Sequence, residues 1–597
     1  MSAKKFHINW RALIFVGSVL GLFLISLLAT LGVKGFNANG FKFYIDQILI
    51  GNFFGINPLL IGLMVLIGYL VLGRSFVDSF LGMIKAMIGV LILSIGAGVL
   101  VSTAKPIFLA IASLGTQITP LDPYFALAGG DAWLKSLNLV FYTSAISFIL
   151  MIGFFINILF VIFRRYTNTH SLMITGHVML QQSTVITVIL VSFFMLQGID
   201  MNATGAQVGV IVLGSIILGT YWSVATSATI KGSDVVTENA GFCVGHQQML
   251  GLAIAYKIGR FFGKKENSSE NMKLHPKLKI FEDNIFSQVI ILLALFIVLI
   301  IIIQAKTGQF VDDKFQVNGK NLIDVASNKD LKIAGAVINF GNWKAARGNA
   351  FWLVNVIFTV LKLVGSILVI QMGVRMFVSE LQQSFQGIGE KLIPGSVVAV
   401  DVAATYGFSP NSVTYGFFSG TLAQYLAFGL VLGISFAIPA SASFKLAIGI
   451  PLFITLFFNS GSIGVFANAS GGYRAAFIVP AILGFFGIIV SSLGLSMMNF
   501  LFSSHKTSLD ALQLALNSKG DINSPFLSGY IGMFDWNFFY GGAMAISAFN
   551  PTVGIIVFSS IPVSLIIFAQ LMDSGRQTKA TALQNIFKIK PQLITEG

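Results

Sequence analysis

Thr175-Gly176-His177-Val178-Met179-Leu180-Gln181-Gln182 lies inside an apolar run, 171–198, and the conflict between the two decides how the chain is read. A spanning helix needs roughly 20 mostly apolar residues, so the run is long enough to cross a bilayer. Burying an imidazole or an amide in hydrocarbon without partners costs roughly 2–7 kcal/mol. These polar side chains must therefore face protein or a wet path, and in a membrane protein such residues mark functional sites. Gly245-His246-Gln247-Gln248 carries the same chemistry farther along. The two stretches together predict a polytopic membrane protein with a solute pathway through it.

Composition agrees. Of the 597 residues, 55% are hydrophobic and 10% charged, and the mean hydropathy is +0.84. Soluble proteins carry about 25% charged residues. The formal net charge of +14 comes from Lys and Arg in short loops and at the N-terminus. That is the positive-inside pattern, and it removes nucleic acid as a partner. A single cysteine, Cys243, excludes an intramolecular disulfide and a multi-cysteine metal site.

Outward from the opening stretch, the fold class is all-α, with apolar segments near 12–33, 57–73, 83–102, 138–163, 171–198, 207–227, 284–304, 351–373, 412–439, 444–467, 474–499 and 540–571. That is roughly 12 transmembrane helices by length. The first run is too long for a signal peptide and reads as a retained helix. Four stretches, 103–130, 230–256, 392–411 and 505–536, are apolar but broken by Gly, Pro and polar residues. Irregular backbone at membrane depth is tolerated where it lines a cavity, so these predict re-entrant hairpins. The basic residues Lys257, Arg260, Lys264, Lys265, Lys273, Lys277 and Lys279 place one segment in the cytoplasm. The mixed polar stretch 306–347 follows the next span and belongs outside, and the tail is basic again, so both termini are expected in the cytoplasm.

Leu172-Met173-Ile174-Thr175-Gly176 is similar in spacing to Leu392-Ile393-Pro394-Gly395, which suggests two repeated halves. The expected organisation is an N-terminal extension (1–40), a first membrane half (41–304), an extracytoplasmic insertion (305–350), a second half (351–571) and a cytoplasmic tail (572–597).

His177 and Gln181 are four apart and share one helix face. An imidazole and an amide offer donors and acceptors to a polyhydroxylated solute. The competing reading is an interhelical hydrogen bond, worth about 0.6 kcal/mol on average. The second cluster favours function. Asp401, in an apolar context without a nearby base in sequence, must be protonated, paired across helices or bound to substrate hydroxyls. Glu238 reads equally well as a solvated hairpin end, and Tyr124 as a hydrogen-bonding side chain or an interfacial anchor. Arg375 and Glu380 read as a structural pair or a cytoplasmic rim, and Asn468, before Gly471-Gly472, as a helix breaker. No phosphate-binding loop and no Arg-rich voltage-sensor helix occur in the sequence. Any driving energy must then come from an ion gradient or a partner protein.

Several ordered motifs carry a family resemblance: Met173-Ile174-Thr175-Gly176-His177-Val178-Met179, Gly241-Phe242-Cys243-Val244-Gly245-His246-Gln247-Gln248, Ile254-Ala255-Tyr256-Lys257, Gly373-Val374-Arg375-Met376-Phe377-Val378-Ser379-Glu380, Leu392-Ile393-Pro394-Gly395 and Ile463-Gly464-Val465-Phe466-Ala467-Asn468. From about residue 44 to 568 the chain resembles the membrane subunit, enzyme IIC, of the L-ascorbate-type bacterial phosphotransferase system. The resemblance implies a homodimeric cell-membrane transporter with a transport core moving against a dimerisation scaffold. It implies a non-catalytic subunit without a cofactor or metal, whose solute is phosphorylated by a phosphorylated IIB partner. Substrate contacts implied by it are Pro123, Tyr124, His177, Val178, Met179, Leu180, Gln181, His246, Gln247 and Asp401. At Pro123 the family pattern has Thr, and proline brings neither hydroxyl nor N–H. The 12–33 helix and the 306–347 insertion also depart from the pattern. The alternative is a proton-coupled secondary transporter of a small sugar acid, with Asp401 as the proton carrier.

Overall fold

The computed structural model describes residues 10–44, 56–112, 117–272, 284–306, 352–393, 395–439, 442–505, 524–547 and 550–593, with a few short pieces between them. Lys4, Lys5, Lys273, Lys277, Lys279 and most of the 306–347 insertion lie outside the described residues.

Apolar sequence becomes helix wherever the run is long enough for every backbone group to bond within its own segment, which is what a lipid surround requires. Among the described residues, nine helices are long and apolar enough to cross a membrane: Phe76–Ala104, Val140–Ile162, Gly176–Leu196, Thr204–Val236, Ile285–Ile302, Leu353–Leu381, Pro410–Ala437, Thr455–Ser504 and Pro551–Leu571. Leu24–Lys34, Ile61–Val71 and Met249–Gly259 are apolar but shorter.

The expected segments 444–467 and 474–499 meet at a kink: Ala447–Pro451 is strand, and the helical run Ser460–Ser504 is interrupted at Gly472 (φ 70°), between the two segments. The expected break is present, at Gly472 of the Gly471-Gly472 pair rather than at Asn468 itself. The Asn468 side-chain carbonyl accepts from the Ser269 N–H (3.0 Å) and its amide donates to Ser268 Oγ (2.9 Å), pinning a loop. Glycine is required four residues later because a left-handed φ costs any other residue roughly 1–2 kcal/mol. A Cβ there would also collide with the carbonyls of Lys264 and Asn267.

Short strands form two small parallel sheets, three of them from the irregular stretches and two, Ser171–Met173 and Ala447–Pro451, from the starts of expected spans. Gln117–Leu121 pairs with Ala447–Pro451 in register Gln117↔Ala447, and Leu121 bridges Tyr530. Val397–Val400 lies between Ser171–Met173 and Phe242–Val244. Buried backbone must find partners, and these strands find them in each other rather than in helix. Four of these five strands deliver the chain to a polar residue: Asp122 after Leu121, His177 after Met173, His246 after Val244 and Asp401 after Val400.

Candidate functional site

The strand ends meet at a cavity of about 230 Å³ lined by Pro123, Tyr124, His177, Gln181, His246 and Asp401, with Gln288, Gln371, Arg375, Ala403, Phe453, Ile454, Phe458 and Met533 completing the wall. Six of the ten expected contacts thus share one surface. Val178, Met179 and Leu180 do not line it. They are buried in the core, because consecutive helix positions turn roughly 100° apart and only 177 and 181 repeat on the cavity face. Gln247, fully buried, stands one layer behind.

Asp401 is paired across elements, one of the options its sequence left open: Oδ2 lies 3.2 Å from His177 Nε2. Its other oxygen accepts from the Ala403 N–H (2.9 Å), capping the short helix Val402–Phe408. Asp122 does the same for Pro123–Ser136, accepting from the N–H groups of Tyr124 (2.8 Å) and Phe125 (3.3 Å). Pro123 occupies the first helical position, where a missing N–H costs nothing.

His246 has its tautomer set by its neighbours. The Gln248 amide nitrogen donates to Phe458 O (2.9 Å) and Ser462 Oγ (2.7 Å), so its oxygen faces His246 Nδ1 at 2.7 Å. An amide oxygen only accepts, so Nδ1 carries the proton, and in the neutral imidazole Nε2 is the acceptor. The ring stacks on Phe458, centroids 5.6 Å apart.

The amides form a directed relay. Trp222 Nε1 donates to Gln182 Oε1 (2.5 Å), Gln182 Nε2 to Gln247 Oε1 (2.9 Å), and Gln247 Nε2 to Gln181 Oε1 (2.8 Å). Indole can only donate, so the polarity of all three amides follows from Trp222. Gln181, at the cavity wall, is left presenting its NH₂. The site therefore offers acceptors at His246 and Asp401 and a donor at Gln181, which matches a solute rich in hydroxyls. His177, His246 and Asp401 also bring ligand atoms within 4.8 Å of one another, the donor set of a cation site.

A profile of the EIIC-GAT family, the PTS system sugar-specific permease component, matches residues 52–541. The chain belongs to this family. A curated relative from Mycoplasma pneumoniae (strain ATCC 29342 / M129 / Subtype 1), named ascorbate-specific PTS system EIIC component, is 41% identical over 664 aligned residues, covering 99% of this chain and 98% of the relative. The Trp10–Lys34 helix precedes the profile match, whereas the relative aligns with nearly the whole chain.

The permease is accordingly a multi-pass cell-membrane protein of a phosphotransferase system. Sequence reading gave no role at this cavity to several residues in its wall or behind it. Asp535 is a buried carboxylate that accepts from Tyr221 Oη (2.6 Å) and from the N–H groups of Leu250 (2.9 Å) and Gly251 (2.8 Å). It thereby caps the Met249–Gly259 helix that leads on from His246 and Gln247. The signal was available, since a lone acid in Gly532-Met533-Phe534-Asp535-Trp536 is as costly as Asp401. Gln288, Gln371 and Arg375 come from the Asn284–Lys306 and Trp352–Leu392 helices. Glu380 does not pair with Arg375; it accepts from Tyr69 Oη (2.6 Å) and lies 3.7 Å from Lys85. Glu238 sits exposed in a left-handed turn (φ 52°), the solvated hairpin end that was one of its two readings. Tyr124 is buried in the cavity wall rather than at an interface.

Proposed function

We propose that this permease subunit takes up L-ascorbate and releases it to a phosphorylated IIB partner that phosphorylates it on entry. The observation that carries the reading is the full-length relative named ascorbate-specific, together with a cavity whose polar wall offers both donors and acceptors. At about 230 Å³ the cavity is smaller than the roughly 300–1,000 Å³ of drug-sized ligand sites, and suits a single sugar-sized ring. His177, Gln181, His246 and Asp401 hold the hydroxyls, with Gln247 acting through Gln181; Pro123 and Tyr124 close one side. Val178, Met179 and Leu180 act by holding that helix face in register.

In this reading the subunit is a homodimer with both termini in the cytoplasm, about 12 spans and two repeated halves. The two small sheets, each ending at a capping aspartate (Asp122 and Asp401), support the repeat. The division 41–304 and 351–571 follows, with 305–350 outside. A shift of the polar core against the Trp352–Leu392 helix carries the solute inward. IIB docks on the exposed basic residues Lys257, Arg260, Lys264 and Lys265. Phosphorylation then makes uptake one-way, and no phosphorylated residue is needed on this chain.

The test is uptake of labelled L-ascorbate by vesicles with and without phosphorylated IIB. Accumulation as the phosphate only with IIB is the expected result. Gln181→Ala and Asp401→Ala remove uptake while membrane insertion persists; wild-type rates in both would sink the site assignment. The Asp401–His177 pair is the arrangement a proton carrier would use. Protonophore-sensitive accumulation of unmodified solute without IIB would replace group translocation by that secondary-transport mechanism.

A further inference from the structure

Arg375 is the least expected charge in the cavity wall. It lies in Leu353–Leu381, a stretch long and apolar enough to cross a membrane. An arginine at the centre of such a helix costs roughly 2.5–3.5 kcal/mol on insertion scales; Arg375 sits nearer the end of the stretch, is exposed, and lines the cavity. Gln371, one turn earlier, lines the same cavity, as does Gln288, whose buried Oε1 has no hydrogen-bond partner among the described residues. The acids near Arg375 are already engaged. Glu380 is held by Tyr69 and Lys85, and Asp401, which lines the same cavity, by His177 and the Ala403 N–H. Among the described residues no carboxylate forms an ion pair with Arg375. Tyr124 lines the same cavity as Arg375.

We propose that Arg375 is the anion-specificity contact of this permease, receiving the negatively charged enolate oxygen of the substrate across the cavity from Asp401. The proposal rests on the L-ascorbate reading and deepens it by orienting the solute. An anion and the Asp401 carboxylate repel each other, so the enolate edge turns toward Arg375 and the remote hydroxyls toward Asp401, His177 and Gln181. A planar guanidinium offers a fork of donors that suits two adjacent oxygens on one ring, which a lysine cannot match. The contact comes from a different helix system than the hydroxyl contacts. Any displacement of one against the other breaks it, and the affinity for the anion then differs between the two ends of the transport cycle.

The experiment measures labelled L-ascorbate uptake, with phosphorylated IIB supplied, for wild type, Arg375→Gln and Arg375→Lys, normalised to protein in the membrane. Hydrogen bonds to charged groups predict a KM raised about 10- to 100-fold in R375Q and less in R375K, with the saturated rate little changed. A purely structural arginine would instead lower abundance or rate and leave KM in place. An unchanged KM in R375Q overturns the proposal while the uptake reading stands; no uptake of L-ascorbate by wild type overturns the reading beneath it. Should R375Q fail to reach the membrane, the wild-type protein decides. Butanedione modification of Arg375, read by peptide mass spectrometry, is expected to be suppressed by L-ascorbate. Equal modification with and without L-ascorbate overturns the proposal.

Discussion

At the residue scale, the site is a problem of proton direction. Gln181, Gln182 and Gln247 are amides that can each present either end, and a free trio would offer the solute donor and acceptor with similar ease. Trp222 removes the choice because indole has a single N–H and nothing to accept with. Trp222→Phe should therefore raise the KM for solute about two- to tenfold, the worth of one ordinary hydrogen bond, with the saturated rate and membrane abundance preserved. A KM that holds in that variant means the relay does not orient Gln181. The two glutamine pairs were visible in the sequence as misplaced polar groups. Trp222 was not, since a tryptophan in an apolar helix looks like any other large hydrophobe until its N–H is seen to meet an amide.

Helices in a lipid surround gain no hydrophobic drive from meeting each other, so close approach has to come from small residues. Pro410–Ala437 places Ser412, Gly416 and Gly420 one turn apart against Ser460–Ser504. A Cβ on Gly416 would sit 2.9 Å from Gly464 Cα, and one on Gly464 would sit 2.9 Å from Gly416 Cα. Gly429, on the same helix, has nothing within 4 Å of its would-be Cβ. Gly416→Ala is expected to cost about 1–3 kcal/mol by overpacking, seen as a lower melting temperature of the detergent-solubilised protein. Gly429→Ala should be neutral or slightly stabilising, because it removes flexibility without a collision. Equal effects from the two would mean that the glycines do not set the helix spacing. The helices themselves were legible as apolar runs, but their boundaries were not. The 444–467 run starts as the Ala447–Pro451 strand before it turns helical, and 540–571 divides because Asn550 caps a new helix at Pro551.

At the scale of the whole molecule, the C-terminal tail is tied to the membrane bundle. Lys231 Nζ lies 2.6 Å from Asp573 Oδ2, Arg576 reaches both oxygens of Asp234 (2.8 and 2.9 Å), and Asn168 donates to the carbonyls of Ala569 and Met572. Partial burial pushes the Asp573 carboxyl up, but the Lys231 ammonium and two backbone N–H groups outweigh it and hold the carboxyl below its ordinary range. A lowered carboxylate favours the docked tail at pH above its ordinary value of about 4, and that contribution fades as pH falls through the lowered value. Limited proteolysis at Arg576 and Lys579 should thus be slow at neutral pH and accelerate in acid. Asp573→Asn should speed it at neutral pH and lose its effect in acid, while leaving the KM for solute alone. Protection that does not change with pH or with D573N would assign the docking to Asn168 instead.

The amino-acid sequence by itself determined the membrane class, the positions of most spans, the polar runs and the family, because hydropathy and local motifs need no knowledge of what lies across the bundle. Only the tertiary structure decided that Asp401 pairs with His177, that Val178, Met179 and Leu180 face the core, and that Arg375 faces the cavity rather than Glu380. The reason is the one that governs all buried polar groups. In a low-dielectric interior an ionisable or amide side chain takes its role from whatever stands within about 3 Å of it, and those neighbours are brought there by strand pairing and helix contacts between distant parts of the chain.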